Sequence, residues 1–225
     1  MLPVVLVHGG WVGPWSWDLV ASRLRDRRIA TVVPRLPLTS LEDDVASVRS
    51  TLNGLAVPVV LCGHSYGGMV VTAAGEHPMV AHLVYLCAFM PDVDETVVDL
   101  MKGSPTRGLS KGITLTSNGF VLPNRGVLLE RAYHDCDPIL ANREIDRMRP
   151  MAITCAVTPP RHAPWRRVRS TYALSEADRA VPPAIQQRMA TRASTLVYLP
   201  TGHAPPMARP DLVAEILATI AARLV

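Results

Sequence analysis

The stretch Val59-Val60-Leu61-Cys62-Gly63-His64-Ser65-Tyr66-Gly67-Gly68-Met69-Val70-Val71 leaves a chain of this kind few ways to fold. A β-branched apolar run that ends in Gly-His-Ser-Tyr-Gly and passes into an apolar, Ala-rich segment reads as buried strand, tight turn, helix. The central residue of such a turn takes a strained backbone, and the residues two positions away on each side are pressed together. Glycine is therefore needed at both flanks, and Gly63 and Gly67 supply it. The turn presents the Ser65 hydroxyl above a sheet and at a helix N-terminus, where N–H groups favour developing negative charge. A Gly-x-Ser-x-Gly match also occurs in ordinary Gly-rich loops, so the rest of the chain must supply a base, an acid and an oxyanion site.

The remaining periodicity predicts a parallel α/β sheet. Residues 3–7 form an apolar run arriving at His8-Gly9-Gly10; Trp17, Val20, Ala21 and Leu24 recur at helical spacing, and residues 29–33 make a second strand. Ser40-Leu41-Glu42-Asp43 reads as a capping-box start, with Asp43 in place of Glu, for a helix burying Leu41, Val45, Val48, Leu52 and Leu55. Residues 81–88 are another strand. Strand and helix alternating at this spacing imply a doubly wound, mainly parallel sheet with helices on both faces. From about 90 to 167 the rhythm breaks at Gly103-Ser104-Pro105-Thr106 and Ser117-Asn118-Gly119, although Asp137 and Pro138 sign a helix running to about Met148. We expect a small helical cap there, inserted after the fourth strand and lying over the carboxyl end of the sheet. Strands at 168–175 and 195–199, a helix opened by Pro182-Pro183, and a closing helix with Val213, Ile216, Leu217, Ile220 and Leu224 inward complete about six strands. The 225 residues suit one domain, 1–225, with the cap at 90–167.

Charge is spread thinly, 23 Lys and Arg against 19 Asp and Glu, and the basic knots at 23–28 and 165–169 lack the interleaved aromatics of a nucleic-acid stripe. No nucleic-acid partner is expected. The opening Met1-Leu2-Pro3-Val4 run lacks a basic leader and is too short to span a bilayer, and Cys62, Cys87, Cys136 and Cys155 show no C-x-x-C spacing. A soluble, cytoplasmic protein with free thiols and no membrane partner is the expectation.

In an open α/β sheet, ligands sit beyond the carboxyl ends of the strands. Ser65, Asp178, His203 and His8-Gly9-Gly10 all fall there. Ser65 is a weak nucleophile unless a base takes its proton, which assigns the base to His203; Asp178 orients the imidazole, with Glu176 as the alternative acid. Asp92 and Asp94, after the fourth strand, are rarer positions for that acid. The backbone N–H groups of Gly10 and Tyr66 are the candidate oxyanion donors, worth roughly 3 kcal/mol each in comparable sites. The run His134-Asp135-Cys136-Asp137 carries ligand-type side chains, but it is consecutive and leads into a helix, so a cap is expected and no metal site.

The segments Val7-His8-Gly9-Gly10-Trp11, Trp15-Ser16-Trp17, Gly63-His64-Ser65-Tyr66-Gly67-Gly68 and Leu199-Pro200-Thr201-Gly202-His203 together resemble the small α/β-hydrolase esterases related to plant methyl esterases and hydroxynitrile lyases. The resemblance covers nearly the whole chain. It implies the α/β-hydrolase fold, a serine triad on Ser65, Asp178 and His203, a small cap and no cofactor. Two departures bear on activity: the lyases carry Thr where this chain has Gly10 and Lys where it has Ala204, which favours ester hydrolysis. Ser65 itself argues against epoxide hydrolases and haloalkane dehalogenases, which place Asp at the elbow.

The expected activity is cleavage of a small to medium, largely apolar carboxylic ester, thioester or lactone through an acyl-serine. Trp11, His64, Met90, Phe120, His134 and Trp165 are candidate substrate contacts. Two alternatives stand beside it: a lyase or cyclase that uses His203 as a base without acylation, and a ligand-binding protein on a hydrolase scaffold.

Overall fold

The computed structural model describes residues 1–104, 109 and 112–224. It opens with β1 (Val4–Val7), α1 (Asp18–Asp26), β2 (Thr31–Val32), α2 (Leu41–Asn53), β3 (Val59–His64), α3 (Gly67–Ala74) and β4 (Val80–Leu86). Next come α4 (Val97–Leu100), β5 (Ile113–Leu115), β6 (Phe120–Pro123), α5 (Arg125–Arg131), α6 (Pro138–Asp146), β7 (Met151–Ala152) and α7 (Thr154–Val157). The chain closes with β8 (Ser170–Ser175), α8 (Pro183–Ala190), β9 (Thr195–Leu199), α9 (Pro205–Ala208) and α10 (Pro210–Arg223).

Six strands form one sheet in the order β2-β1-β3-β4-β8-β9, and every neighbouring pair is parallel. β1, β3 and β8 are buried along their whole length because helices cover both faces. Alternation does the sorting. Val5, Val7, Leu61, Leu83, Tyr85, Tyr172 and Leu174 point into a core completed by α2, α3 and α8. Val4, Leu6, Val60, Cys62, Val84, Leu86 and Ala173 point the other way, against α1 and α10. The connection after β1 runs outward to β2 and the next returns to β3, so strand order reverses between β1 and β3. A ligand crevice belongs at that reversal, and Gly10 and Ser65 lie just past these two strands.

Ser40 caps α2 by accepting the Asp43 N–H at 3.0 Å. The capping box is only half built, because the Asp43 carboxylate accepts the Thr39 hydroxyl at 2.6 Å in place of the Ser40 N–H. Asp137 caps α6 through the Ile139 and Leu140 N–H groups, as its sequence suggests. The segment between β4 and β8 contains more than helices: β5, β6 and β7 form an antiparallel sheet of three short strands. Met151, Ala152 and Cys155 from this segment enter the main core, while Leu128, Ala132, Tyr133 and Ala141 gather with Ala204 in a small separate cluster. Pro105 and Thr106, expected in a turn, lie outside the described residues.

Candidate active site

The turn after β3 has the geometry its glycines imply. Ser65 sits at φ 53°, in the left-handed region, and a Cβ on Gly63 would collide with the Gly67 carbonyl. One on Gly67 would lie 2.6 Å from the carbonyl oxygen of Val7 in β1, so the turn is wedged between two strands. Ser65 is 8% exposed.

Its hydroxyl lies 2.9 Å from His203 Nε2, and His203 Nδ1 lies 2.7 Å from Asp178 Oδ2. A carboxylate can only accept, so Nδ1 carries the proton and donates to Asp178, leaving Nε2 to accept from Ser65. The structure thus places Asp178 against His203. Glu176 is exposed, its N–H bound to the Leu199 carbonyl, and Asp92 is occupied by Arg166. Asp178 is held rigidly: Oδ1 accepts the Ala180 and Val181 N–H groups at 2.8 Å each, and Oδ2 also accepts Gln186 Nε2 at 2.9 Å.

The two candidate oxyanion amides are held from behind. The Ser65 carbonyl, which shares a peptide unit with the Tyr66 N–H, accepts from Gly68 and Phe89 N–H groups at 3.0 and 3.1 Å. His8 Nδ1 donates to the Gly9 carbonyl at 2.9 Å, and that carbonyl shares its peptide unit with the Gly10 N–H. In a trans peptide the N–H points opposite to its carbonyl, so both amides face away from these anchors. Among the described residues neither the Gly10 nor the Tyr66 N–H donates to a protein acceptor. Burial pulls the His8 pKa down to about 4, which keeps the ring neutral while its Nε2 accepts the Leu36 N–H. Gly10 approaches Tyr66 closely: a Cβ on it would lie 3.7 Å from Tyr66 Cβ and 2.9 Å from Met151 Sδ of β7.

Three expected substrate contacts are placed otherwise. His64 donates from Nε2 to the His203 carbonyl at 2.7 Å, behind the site, and burial lowers its pKa to about 3; it supports the His203 loop. Met90 is fully buried in the core and presents no surface to a ligand. Trp165 donates to the Pro91 carbonyl at 2.8 Å and is flanked by Arg166 and Arg192, bracing the two ends of the segment between β4 and β8. Trp11 follows Gly10 and donates to the Val121 carbonyl beside Phe120, and His134 covers Gly202, where a Cβ would lie 2.6 Å from its Cε1.

The run from His134 to Asp137 is spent on support: Asp135 accepts the Gly202 N–H at 2.5 Å and Asp137 caps α6. Among the described residues, His64, Cys87 and His203 bring ligand-type atoms within 4.8 Å of one another. His64 and Cys87 both turn to the His203 carbonyl, however, and the His203 ring nitrogens are engaged by Ser65 and Asp178, which makes this a hydrogen-bonded cluster. Surface grooves of about 700 and 660 Å³ open away from Ser65, one between α2 and residues 159–162, the other beside α10 and β9. Sequence reasoning missed Asp44, Arg149, Met151 and Gln186, whose roles depend on partners far away in the chain. Arg149 shows this plainly: its N–H donates to Trp11, and its guanidinium donates to the Val12 and Leu36 carbonyls.

A model of the alpha/beta hydrolase family matches residues 4–216. The chain is 27% identical to the alpha/beta hydrolase nvfD of Aspergillus novofumigatus over 95% of its own length and 94% of that protein. Methylesterase 10 of Arabidopsis thaliana is 26% identical, with 97% and 91% covered. Among solved structures, a pyrethroid hydrolase from Sphingobium faniae superposes with a TM-score of 0.85 at 22% identity, over 98% of this chain and 97% of that one. No helix of the described residues is long and apolar enough to cross a membrane.

Proposed function

The chain belongs to the alpha/beta hydrolase family, and on that premise we propose that it is a serine hydrolase that cleaves a small carboxylic ester through an acyl-Ser65 intermediate. The observation that carries this reading is the unbroken chain from Ser65 Oγ through His203 to the buried Asp178, set beside two backbone N–H groups without a protein acceptor among the described residues. Ser65 Oγ attacks the ester carbonyl as His203 Nε2 takes its proton. The carbonyl oxygen, now negative, is received by the Gly10 and Tyr66 N–H groups. The tetrahedral intermediate collapses, the C–O bond to the alcohol breaks, and His203 returns the proton to the departing oxygen. Water then attacks the acyl-enzyme by the same route, with His203 as base, releasing the acid and restoring Ser65. Asp178 fixes the imidazole tautomer and stabilises the imidazolium in both halves.

Relatives named as a methylesterase and as a pyrethroid hydrolase accord with a small-molecule substrate of ester type. Residue 204, next to His203, is a buried alanine, so no cation stands there to assist a departing cyanide. The test is a pre-steady-state burst with p-nitrophenyl acetate in the wild type and Ser65→Ala, with intact mass measured on quenched protein. A burst equal to the enzyme concentration and an acetyl adduct, both lost in the variant, are expected. A folded wild type with neither would overturn the reading.

A further inference from the structure

Tyr66 contributes a backbone N–H to the proposed oxyanion site, yet its side chain runs the other way, into the core. Its hydroxyl donates to Asp44 Oδ2 at 2.7 Å, and Asp44, on the first turn of α2, is 0% exposed. The other carboxylate oxygen accepts the Leu38 N–H at 2.7 Å, and Leu38 sits at φ 64°, a backbone strain that this bond holds in place. The Leu38 carbonyl in turn accepts the Ala152 N–H of β7, and Cys155 Sγ of α7 lies 3.9 Å from Asp44 Oδ2. One carboxylate thus ties the elbow, the loop before α2 and the segment over Gly10. An ion buried at this depth is costly and has no part in the proton path. A neutral amide or an apolar side chain could fill the same space.

We infer that the Asp44 carboxylate, through the Tyr66 hydroxyl, sets the aim of the Tyr66 backbone N–H and is a positioning residue of the oxyanion site. This rests on the serine-hydrolase reading above. A shift of Tyr66 by a few tenths of an ångström moves its amide off the developing oxyanion and leaves ground-state binding nearly untouched. The charge also brings pH into the site. Burial raises the Asp44 pKa to about 6; Asp43 on the same helix adds to the shift, while the Leu38 N–H, Tyr66 and Arg149 oppose it, and the Cys155 thiol is the other titratable group facing it. Above that pH the native protein holds an ion it would hold more cheaply as a neutral group, and below it the tie is uncharged.

The experiment compares the wild type with Asp44→Asn and Tyr66→Phe on p-nitrophenyl acetate, with phenylboronic acid as the tetrahedral analogue. At pH 8 both variants should lose about tenfold in kcat, less than the loss of a whole oxyanion donor, with KM within about twofold. Affinity for phenylboronic acid should fall by the same factor as kcat. The wild-type to Asp44→Asn ratio of kcat/KM should shrink toward one as pH falls from 8 to 5, because every pH effect common to the two proteins cancels in the ratio. Asp44→Asn should melt no lower than the wild type at pH 8, which a purely structural carboxylate would not allow. Unchanged kcat in both variants, or a fall in kcat without weaker boronate binding, overturns the inference while the wild-type burst still upholds the hydrolase reading. Absence of that burst overturns the reading itself. Should Asp44→Asn fail to fold, Tyr66→Phe carries the same kcat and boronate expectations.

Discussion

The end of β8 and the start of α2 each bury one carboxylate, and they do it differently. Asp178 accepts four N–H donors, from Ala180, Val181, Gln186 and His203, so its charge is met on every side. Asp44 is as deeply buried but accepts one N–H and one hydroxyl, with a thiol at 3.9 Å, and its pKa rises to about 6. Two carboxylates at the same depth thus differ in the number and kind of donors that meet them. The first site closes its donor set on His203. The second holds its charge against a penalty.

Breaking the first site should cost most. Asp178→Asn leaves the shape but supplies an N–H where the imidazole needs an acceptor, and kcat should fall about 10⁴-fold with folding intact by circular dichroism. The next effect belongs to Gln186, which donates to Asp178 Oδ2 and to the Val181 carbonyl and accepts the Ser175 N–H. Gln186→Leu leaves those groups unpaired in the interior. It should lower stability by about 2–4 kcal/mol in urea titration and kcat by roughly tenfold. If Gln186→Leu were neutral, the contrast between the two carboxylates would lose its basis in donor count.

Glu144 on α6 sharpens the comparison from outside the site. Burial raises its pKa to about 7, with Asp18 adding to the shift and Arg147 opposing it. Between pH 4.5, its ordinary value, and about 7, the native protein holds a proton that the unfolded chain releases, so stability falls as pH rises through that window. Glu144→Gln removes the penalty. The variant should gain about 1–3 kcal/mol over the wild type at pH 8 and nothing at pH 4, with kcat on p-nitrophenyl acetate unchanged. Melting temperatures across that range decide it, and a gain independent of pH would mean that packing, not charge, separates the two proteins.

The sheet and the polar trio at its carboxyl end were legible for a physical reason. Fully buried parallel strands write themselves as continuous apolar runs, and the elbow needs glycines at fixed offsets. Ser65, Asp178 and His203 could be placed because each follows such a run. The segment between β4 and β8 has no comparable signature: β5 is partly exposed, β7 has two residues, and pairing between them fixes their conformation more than their own sequence does. His64 shows the limit within the elbow itself. Its neighbour Ser65 faces the site, and the reversal of direction at that turn sends the His64 ring to the His203 carbonyl instead. Asp44 carries no signal in the sequence, because its partners Leu38 and Tyr66 are invisible as partners until the chain is folded.

The loop carrying Gly10 is among the first parts of the chain to be made, yet the contacts that pin it come from Val121 and Arg149, with Met151 packed beside Gly10. At ribosomal speeds of about 5–20 residues per second, roughly 10 s pass between the synthesis of the loop and that of its clasp. His203 is made later still. A growing chain therefore displays Ser65 on a half-built sheet with no imidazole beside it and an unclasped Gly10 loop, and the chain from Ser65 through His203 to Asp178 closes only as the last strand and helix join the rest.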